Sequence, residues 1–155
     1  MSSQVNIERA VVNDIRFIAE SQVAMAYETE AMALSLDVVL AGVQHIFDEP
    51  DRGFYVLART IDDNAPIACM LVLNEWSDWR NCDVWWLHSV YVVPAFRGEG
   101  VFRKMFKFIE TMAVDQQIRG IRLYVEKSNA RAQAVYRALG MSDKHYDLFE
   151  KMIST

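Results

Sequence analysis

Residues 89–102 read SVYVVPAFRGEGVF, and this stretch decides the fold. It begins inside VWWLHSVYVV at 84–93, where aromatic and β-branched residues predict a strand that Pro94 ends. Helical spacing of apolar residues follows over 101–117. A strand, a glycine-containing bend and a helix form the first part of a right-handed crossover to a parallel strand. The expected parallel neighbour is IRLYVE at 121–126.

The remaining elements predict an α+β fold, because helical and alternating patterns are interspersed along the chain. No repeat, low-complexity tract or linker marks a boundary, so we expect a single domain over residues 1–155. The further predicted elements are strands at 5–10, 53–60, 66–75 and 145–153, and helices at 13–31, 37–47 and 129–139.

Composition excludes several functional classes. The 155 residues carry a net charge of −5, and an acidic surface disfavours nucleic acid as a partner. No apolar run approaches the roughly 18 residues that span a bilayer, and the first residues lack an export signal, so we expect no membrane partner and a cytoplasmic location. Cys69 and Cys82 form no CxxC pair and the three histidines are scattered, which predicts reduced thiols and no metal site.

The bend itself, RGEGVFR at 97–103, has the character of an anion site. Gly98 and Gly100 allow a tight turn whose N–H groups converge, and the following helix adds a positive dipole. Residues 97–107 carry a local charge of +3, so the rest of the chain carries −8. This local positive charge favours a discrete anionic ligand, although a solvated first turn of a helix can carry the same basic residues. The P-loop and Rossmann fingerprints are both absent, because no Gly-Lys-Ser/Thr follows and Arg103 takes the third glycine position.

A second block, NARAQAVYRALGM at 129–141, completes a resemblance to a known family. Together with the bend it resembles the GNAT N-acetyltransferases, whose patterns are R-x-x-G-x-G/A after a strand ending in V-x-P, and N-x-x-A-x-x-x-Y-x-x-x-G-F/M. Phe102 departs from the first pattern, which prefers Gly or Ala there. The resemblance covers nearly the whole chain, with the first third supported only by element order.

The resemblance implies a mixed central sheet of about six to seven strands flanked by about four helices, with parallel strands at 84–93 and 121–126 splayed apart. It also implies acetyl-CoA as cosubstrate, with its pantetheine arm paired to the main chain of Val90 and Val92. Asn129 would face the arm from the other side. The diphosphate would be held by the bend, that is by Arg97, Gly98, Glu99, Gly100, Val101, Phe102 and Arg103.

Acetyl transfer to an amine needs a base for the amine and an acid for the departing thiolate. Tyr136 matches the tyrosine that serves as general acid in the family, although it also lies on the apolar stripe of its helix. His88 takes the strand position where many members carry Glu, and it titrates in the useful range. A lone strand histidine is as readily structural, and Glu75 and Glu126 are comparable candidates, acting directly or through water.

Acidic and aromatic residues predict where an amine acceptor binds. Glu28 and Glu30 lie between the first two predicted helices, where the family admits its acceptor, although they also suit a solvated helix end. Trp76 and Asp78 belong to EWSDWRNCDVWW, whose four tryptophans can wall a pocket, pack in the core or form a homodimer interface. One of Trp85 and Trp86 must face the core, since adjacent strand residues point in opposite directions.

These expectations converge on an acetyl-CoA-dependent N-acetyltransferase acting on a small-molecule or peptide amine by direct attack. No Ser or Cys has a nucleophile setting such as G-x-S-x-G, so no covalent enzyme intermediate is expected. A non-catalytic acyl-CoA-binding module is the alternative that would keep the bend and dispense with proton transfer. A purely structural dimer built on the tryptophans would leave the basic bend unexplained.

Overall fold

The computed structural model describes residues 4–154, and the chain divides into two compact units, Met1–Arg122 and Leu123–Thr155. Within the described residues, the first unit contains one five-stranded sheet and three α-helices, and the second contains one α-helix. The strands are β1 Val5–Arg9, β2 Gly53–Thr60, β3 Pro66–Ser77, β4 Cys82–Val92 and β5 Ile121–Arg122. The helices are α1 Ile15–Glu30, α2 Leu36–Asp48, α3 Val101–Asp115 and α4 Ala130–Ala138.

The sheet has strand order β1-β2-β3-β4-β5, so each strand pairs with its neighbours in the sequence. The first four strands are antiparallel, whereas β4 and β5 are parallel and joined through α3. Their register comprises two pairs, Trp85 with Ile121 and Trp86 with Arg122. The predicted crossover and the mixed α+β sheet are therefore confirmed.

Two strand predictions are wrong in extent. The described part of the chain has five strands rather than six to seven, because residues 145–153 form no strand. The strand expected at 121–126 is present but is reduced to Ile121–Arg122. A strand needs a partner for its main-chain groups, and the ladder with β4 ends at Arg122. The apolar residues of 145–153 do not alternate and remain exposed, with Phe149 93% exposed, so no burial favours a strand there.

The core lies on both faces of the sheet. α1 and α2 cover one face, where Ile18 and Val43 pack with the sheet residues Tyr55, Leu57 and Cys69. The alternate sheet residues are fully buried on the other face, which α3 covers through its own apolar stripe. Among residues 4–154 no helix has the length and apolar character needed to cross a membrane.

A buried ion pair connects the start of α1 to the sheet. The Arg59 guanidinium donates hydrogen bonds to Glu8, at 2.6 Å, and to Asp14. Asp14 also accepts the Val11 main-chain N–H at 2.9 Å. Its carboxylate therefore caps the short 3-10 turn at Val12–Asp14 that precedes α1. The side chains of Arg59 and Asp14 are only 12% and 7% exposed.

Removing this buried charge is expected to destabilise the protein. Asp14→Asn should lower the free energy of unfolding by about 2–3 kcal/mol, because it leaves the buried Arg59 guanidinium with one carboxylate instead of two. Glu20→Gln, which breaks the exposed Arg16–Glu20 pair, should cost under about 0.5 kcal/mol. Urea denaturation measures both, and equal losses would show that the Asp14 contact adds nothing to stability.

Candidate functional site

The bend between β4 and α3 turns tightly by means of two left-handed glycines. Gly98 has φ 80° and Gly100 has φ 79°, a region that side-chain-bearing residues rarely adopt. Before them, the Phe96 N–H donates to the Val93 carbonyl and the Arg97 N–H donates to the Pro94 carbonyl. Gly100 is then the N-cap of α3, so the bend ends at the positive end of the helix dipole.

Several N–H groups of the bend have no main-chain acceptor. Within residues 4–154, no turn or loop carbonyl accepts the N–H of Gly98 or Gly100. Val101 and Arg103 lie in the first turn of α3, where main-chain N–H groups have no acceptor inside the helix. The first return bond runs from the Lys104 N–H to the Gly100 carbonyl, at 3.2 Å. The bend therefore fits a phosphate group, which can accept these hydrogen bonds.

Phe102 leaves this arrangement intact. It is partly buried, and its ring lies 6.1 Å from the ring of Phe106, one helical turn further along α3. The large side chain at the position where the family pattern prefers Gly or Ala is therefore packed against α3 itself.

Arg97 supports the bend through its side chain. Its Nε donates to the Val92 carbonyl at 2.8 Å, and its Nη2 donates to Glu28 Oε2 at 2.8 Å. The guanidinium lies 5.3 Å from the Tyr91 ring centroid, and the Tyr91 hydroxyl donates to Glu28 Oε1 at 3.3 Å. Glu28, predicted as part of an acceptor rim, is therefore engaged in fixing the bend to the end of α1.

One edge of β4 is open beyond its short pairing with β5. The Val93 N–H donates to Ile67 of β3, so by strand alternation the main-chain groups of Val92 point to the opposite edge. In the described residues the β5 register ends at Trp86, and Val90 and Val92 lie past that point. An extended ligand could add to this edge as a further strand.

A β-bulge at Ser89 sets the direction of the side chains on β4. His88 lies opposite Leu71, whereas Tyr91 lies opposite Cys69, so β4 holds one extra residue between these pairs. Ser89 has φ 56°, and its carbonyl accepts a hydrogen bond from Gln22 Nε2 at 3.0 Å. Leu71 belongs to the α1/α2 face of the sheet, so His88 points to that face as well.

Gln22 is the site residue that the sequence interpretation missed. It is buried, and its Nε2 bonds the Ser89 carbonyl and approaches Cys69 Sγ at 3.6 Å. The available signal was a polar residue on an apolar helical stripe, since Gln22 follows Ile15 and Ile18 and precedes Met25. A buried amide on such a stripe indicates a specific hydrogen-bond partner.

The three candidate bases have different surroundings. His88 is partly buried beside the Trp86 ring, at 6.1 Å between centroids, and burial lowers the pKa of its imidazole. Glu75 accepts a hydrogen bond from Arg122 at 2.8 Å as part of an ion pair. Glu126, in the second unit, accepts the Ser128 hydroxyl at 3.0 Å. Burial therefore favours the neutral form of the His88 imidazole, which can accept a proton.

The second unit contains the predicted site residues Asn129 and Tyr136. Asn129 is the N-cap of α4, where its Oδ1 accepts the Ala132 N–H at 3.0 Å. Tyr136 lies on α4 and is partly buried, and burial raises the pKa of its phenol. The phenol therefore keeps its proton at neutral pH, as a general acid must.

The tryptophan-rich hairpin between β3 and β4 points mostly to solvent. Trp76 is 61% and Trp79 88% exposed, whereas Trp85 is 1% exposed and donates its indole N–H to Asn74. The expectation that one residue of the Trp85–Trp86 pair is in the core is confirmed. Asp78 accepts the Trp79 main-chain N–H at 2.9 Å and so shapes the hairpin turn.

A pocket of about 410 Å³ lies between α1 and α2, within the first unit. Glu30, Tyr55 and Ser89 are among its lining residues, so it reaches from the end of α1 to the bulge of β4. Trp76 and Asp78 are not part of its lining. Of the predicted acceptor residues, the structure therefore places Glu30 at this pocket, Glu28 at the bend, and Trp76 and Asp78 at the hairpin.

The family model described as the acetyltransferase (GNAT) family matches residues 15–141. The chain belongs to the GNAT acetyltransferase family. The match spans both sequence blocks and confirms the resemblance drawn from them. Acetyl-CoA is the cosubstrate of this family.

Solved structures and curated relatives agree with this placement. A possible acetyltransferase from Clostridium difficile 630 is 34% identical, with TM-score 0.88, over 97% of this chain and 99% of that one. An acetyl-CoA complex of a predicted acetyltransferase from Clostridium acetobutylicum shares the fold, with 17% identity and TM-score 0.76 over 96% of each chain. The thialysine N-epsilon-acetyltransferase of Bos taurus is 35% identical over 69 residues, which is 44% of this chain and 40% of that protein. The match thus spans about two fifths of that curated relative.

Proposed function

We propose that this GNAT protein transfers an acetyl group from acetyl-CoA to a primary amine of a small molecule or peptide, by direct attack of the amine. The observation that carries the proposal is the bend at 97–103, where two left-handed glycines, without a turn or loop carbonyl among the described residues as acceptor for their N–H groups, lead into the start of α3. The family match extends across both compact units, which supports treating residues 1–155 as one acetyltransferase domain.

The chain's own groups provide for cosubstrate binding. The N–H groups of Gly98, Gly100, Val101 and Arg103 donate to the diphosphate, and the cationic side chains of α3 add attraction. Arg97 acts indirectly, because its guanidinium is engaged with Glu28 and the Val92 carbonyl. We assign the main-chain groups of Val90 and the N–H of Val92 to pairing with the pantetheine arm, and Asn129 to cosubstrate binding as well.

Two proton transfers accompany acetyl transfer. Bound acetyl-CoA supplies the acetyl group as an activated thioester. As the new N–C bond forms and the C–S bond breaks, one proton leaves the amine and another must reach the sulfur. We assign acceptance of the amine proton to His88, whose lowered pKa keeps the imidazole neutral at pH 7. Tyr136 provides the proton for the sulfur, because its raised pKa keeps the phenol protonated.

Isothermal titration with acetyl-CoA, followed by a thiol-release assay with primary amines, tests the proposal. We expect binding in the micromolar range and amine-dependent release of CoA. Absence of binding at millimolar acetyl-CoA would overturn the proposal. Tight binding without thiol release for any amine would instead identify a non-catalytic acyl-CoA-binding module.

A further inference from the structure

The pocket between α1 and α2 has a composition that limits which amines it can hold. Its volume of about 410 Å³ lies within the usual range of small-molecule sites, about 300–1,000 Å³. Side chains of both helices and of Leu34, which lies between them, form apolar walls, and the β4 bulge and Tyr55 contribute polar atoms. The apolar wall residues are Met25, Ala26, Leu34, Val39 and Val43.

One charged group lies in this lining. Glu30 is the only ionisable carboxylate among the lining residues, and no Lys, Arg or His is among them. Within residues 4–154, the Glu30 carboxylate forms no hydrogen bond or ion pair, whereas that of the nearby Glu28 is bonded to Arg97. An exposed carboxylate beside an apolar pocket attracts a cation. A ligand carboxylate would meet Glu30 and no compensating positive charge.

The polar groups away from Glu30 are neutral. Burial raises the pKa of Tyr55 to about 12, with a smaller contribution from the neighbouring Cys69, so the phenol stays protonated. Gln22 and Ser89 present an amide and a main-chain bulge at the β4 side of the pocket. A nitrogen at this side would therefore lie among uncharged groups.

The Glu30 end and the β4 side of the pocket place different demands on an amine. A carboxylate partner raises the pKa of an ammonium group and so opposes the loss of the proton that attack requires. Glu30 is therefore suited to a nitrogen that stays charged, and the β4 side is suited to a nitrogen that becomes neutral. An apolar spacer between the two nitrogens would match the apolar walls.

We propose that the acceptor is a diamine with an apolar spacer and no carboxylate, held by Glu30 at its charged end and acetylated at its other nitrogen. This inference rests on the proposed function and specifies its substrate class. It favours 1,5-diaminopentane over pentylamine, which lacks the second nitrogen. It also favours 1,5-diaminopentane over lysine, which is the same diamine with an added carboxylate.

Gly42 of α2 offers an independent way to close the pocket. It lines the pocket, and a Cβ added there would meet no heavy atom within 4 Å. Gly42→Leu should therefore fill the space without a clash, while improving helix propensity. Ala41→Leu, on the same helix at an exposed position that does not line the pocket, is the matched control.

The test measures kcat/KM for pentylamine, 1,5-diaminopentane and lysine by thiol release, and Kd for acetyl-CoA by calorimetry. The wild-type protein should prefer 1,5-diaminopentane to each of the other two amines by about tenfold. Glu30→Gln should abolish the preference over pentylamine by lowering kcat/KM for 1,5-diaminopentane about tenfold. Glu20→Gln, which removes another α1 carboxylate, should keep the preference. Gly42→Leu should lower turnover of all three amines at least tenfold, and Ala41→Leu should not.

Failure of this inference is distinct from failure of the proposed function. If acetyl-CoA does not bind, the proposed function is wrong. If acetyl-CoA binds but no amine of the three is acetylated, or pentylamine and lysine match the diamine, the diamine inference alone is wrong. Equal loss for pentylamine and 1,5-diaminopentane in Glu30→Gln would also overturn it, because Glu30 would then serve a role unrelated to the second nitrogen.

Discussion

Gly100→Asp is expected to weaken acetyl-CoA binding about 100-fold. Gly100 is the N-cap of α3 and has φ 79°, and a Cβ there would meet no heavy atom within 4 Å. The new side chain would therefore extend into the space beside the bend. A carboxylate at about 5 Å from a bound phosphate would cost about 3 kcal/mol at an effective dielectric constant near 20, which is about two orders of magnitude in affinity.

Gly140→Asp is a matched control for backbone strain. Gly140 also has a left-handed φ, 87°, and open space at its Cβ, but it follows α4 and is not part of the bend. Aspartate tolerates this region better than most residues, so both variants should fold. Gly100→Asn adds the shape without the charge and should lose less than tenfold. Calorimetry measures the affinity of all three variants for acetyl-CoA. Equal affinities for Gly100→Asp and Gly140→Asp would show that the bend is not part of the binding site.

The bend was predictable because its signals are local. Pro94, the two glycines and the apolar spacing of α3 each act within a few residues, and the structure places strand, bend and helix where these signals indicate. The same holds for β2, whose bounds of 53–60 agree with its predicted range. Helix and strand propensities are local properties, so a single sequence can reveal them.

The pairings that shape the site are long-range and were not predictable in the same way. Glu28 and Arg97 are 69 positions apart, and Gln22 and Ser89 are 67 apart. No local sequence pattern indicates that Glu28 pairs with Arg97 whereas Glu30 lines the pocket between α1 and α2. The direction of His88 depended on a bulge of one residue, since an extra residue reverses the alternation of a strand.

Tyr136→Phe is expected to lower kcat about 100-fold and to leave the Kd for acetyl-CoA within about twofold. General acids contribute about 10²–10⁴-fold to rate, and phenylalanine retains the ring while removing the proton donor. Burial raises the pKa of Tyr136, so the wild-type phenol stays protonated through neutral pH and loses its proton only in the alkaline range. The fall in kcat at alkaline pH should therefore be weaker in Tyr136→Phe than in the wild-type protein.

Tyr146→Phe is the control for this substitution, because Tyr146 lies in the same compact unit and is 79% exposed. It should leave kcat, Kd and the alkaline limb unchanged. A packing role for Tyr136 would lower thermal stability with kcat little altered, whereas an acid role lowers kcat at equal stability. Unchanged kcat in Tyr136→Phe would assign the proton that reaches the sulfur to another donor, because the phenol hydroxyl is the only group that this variant removes.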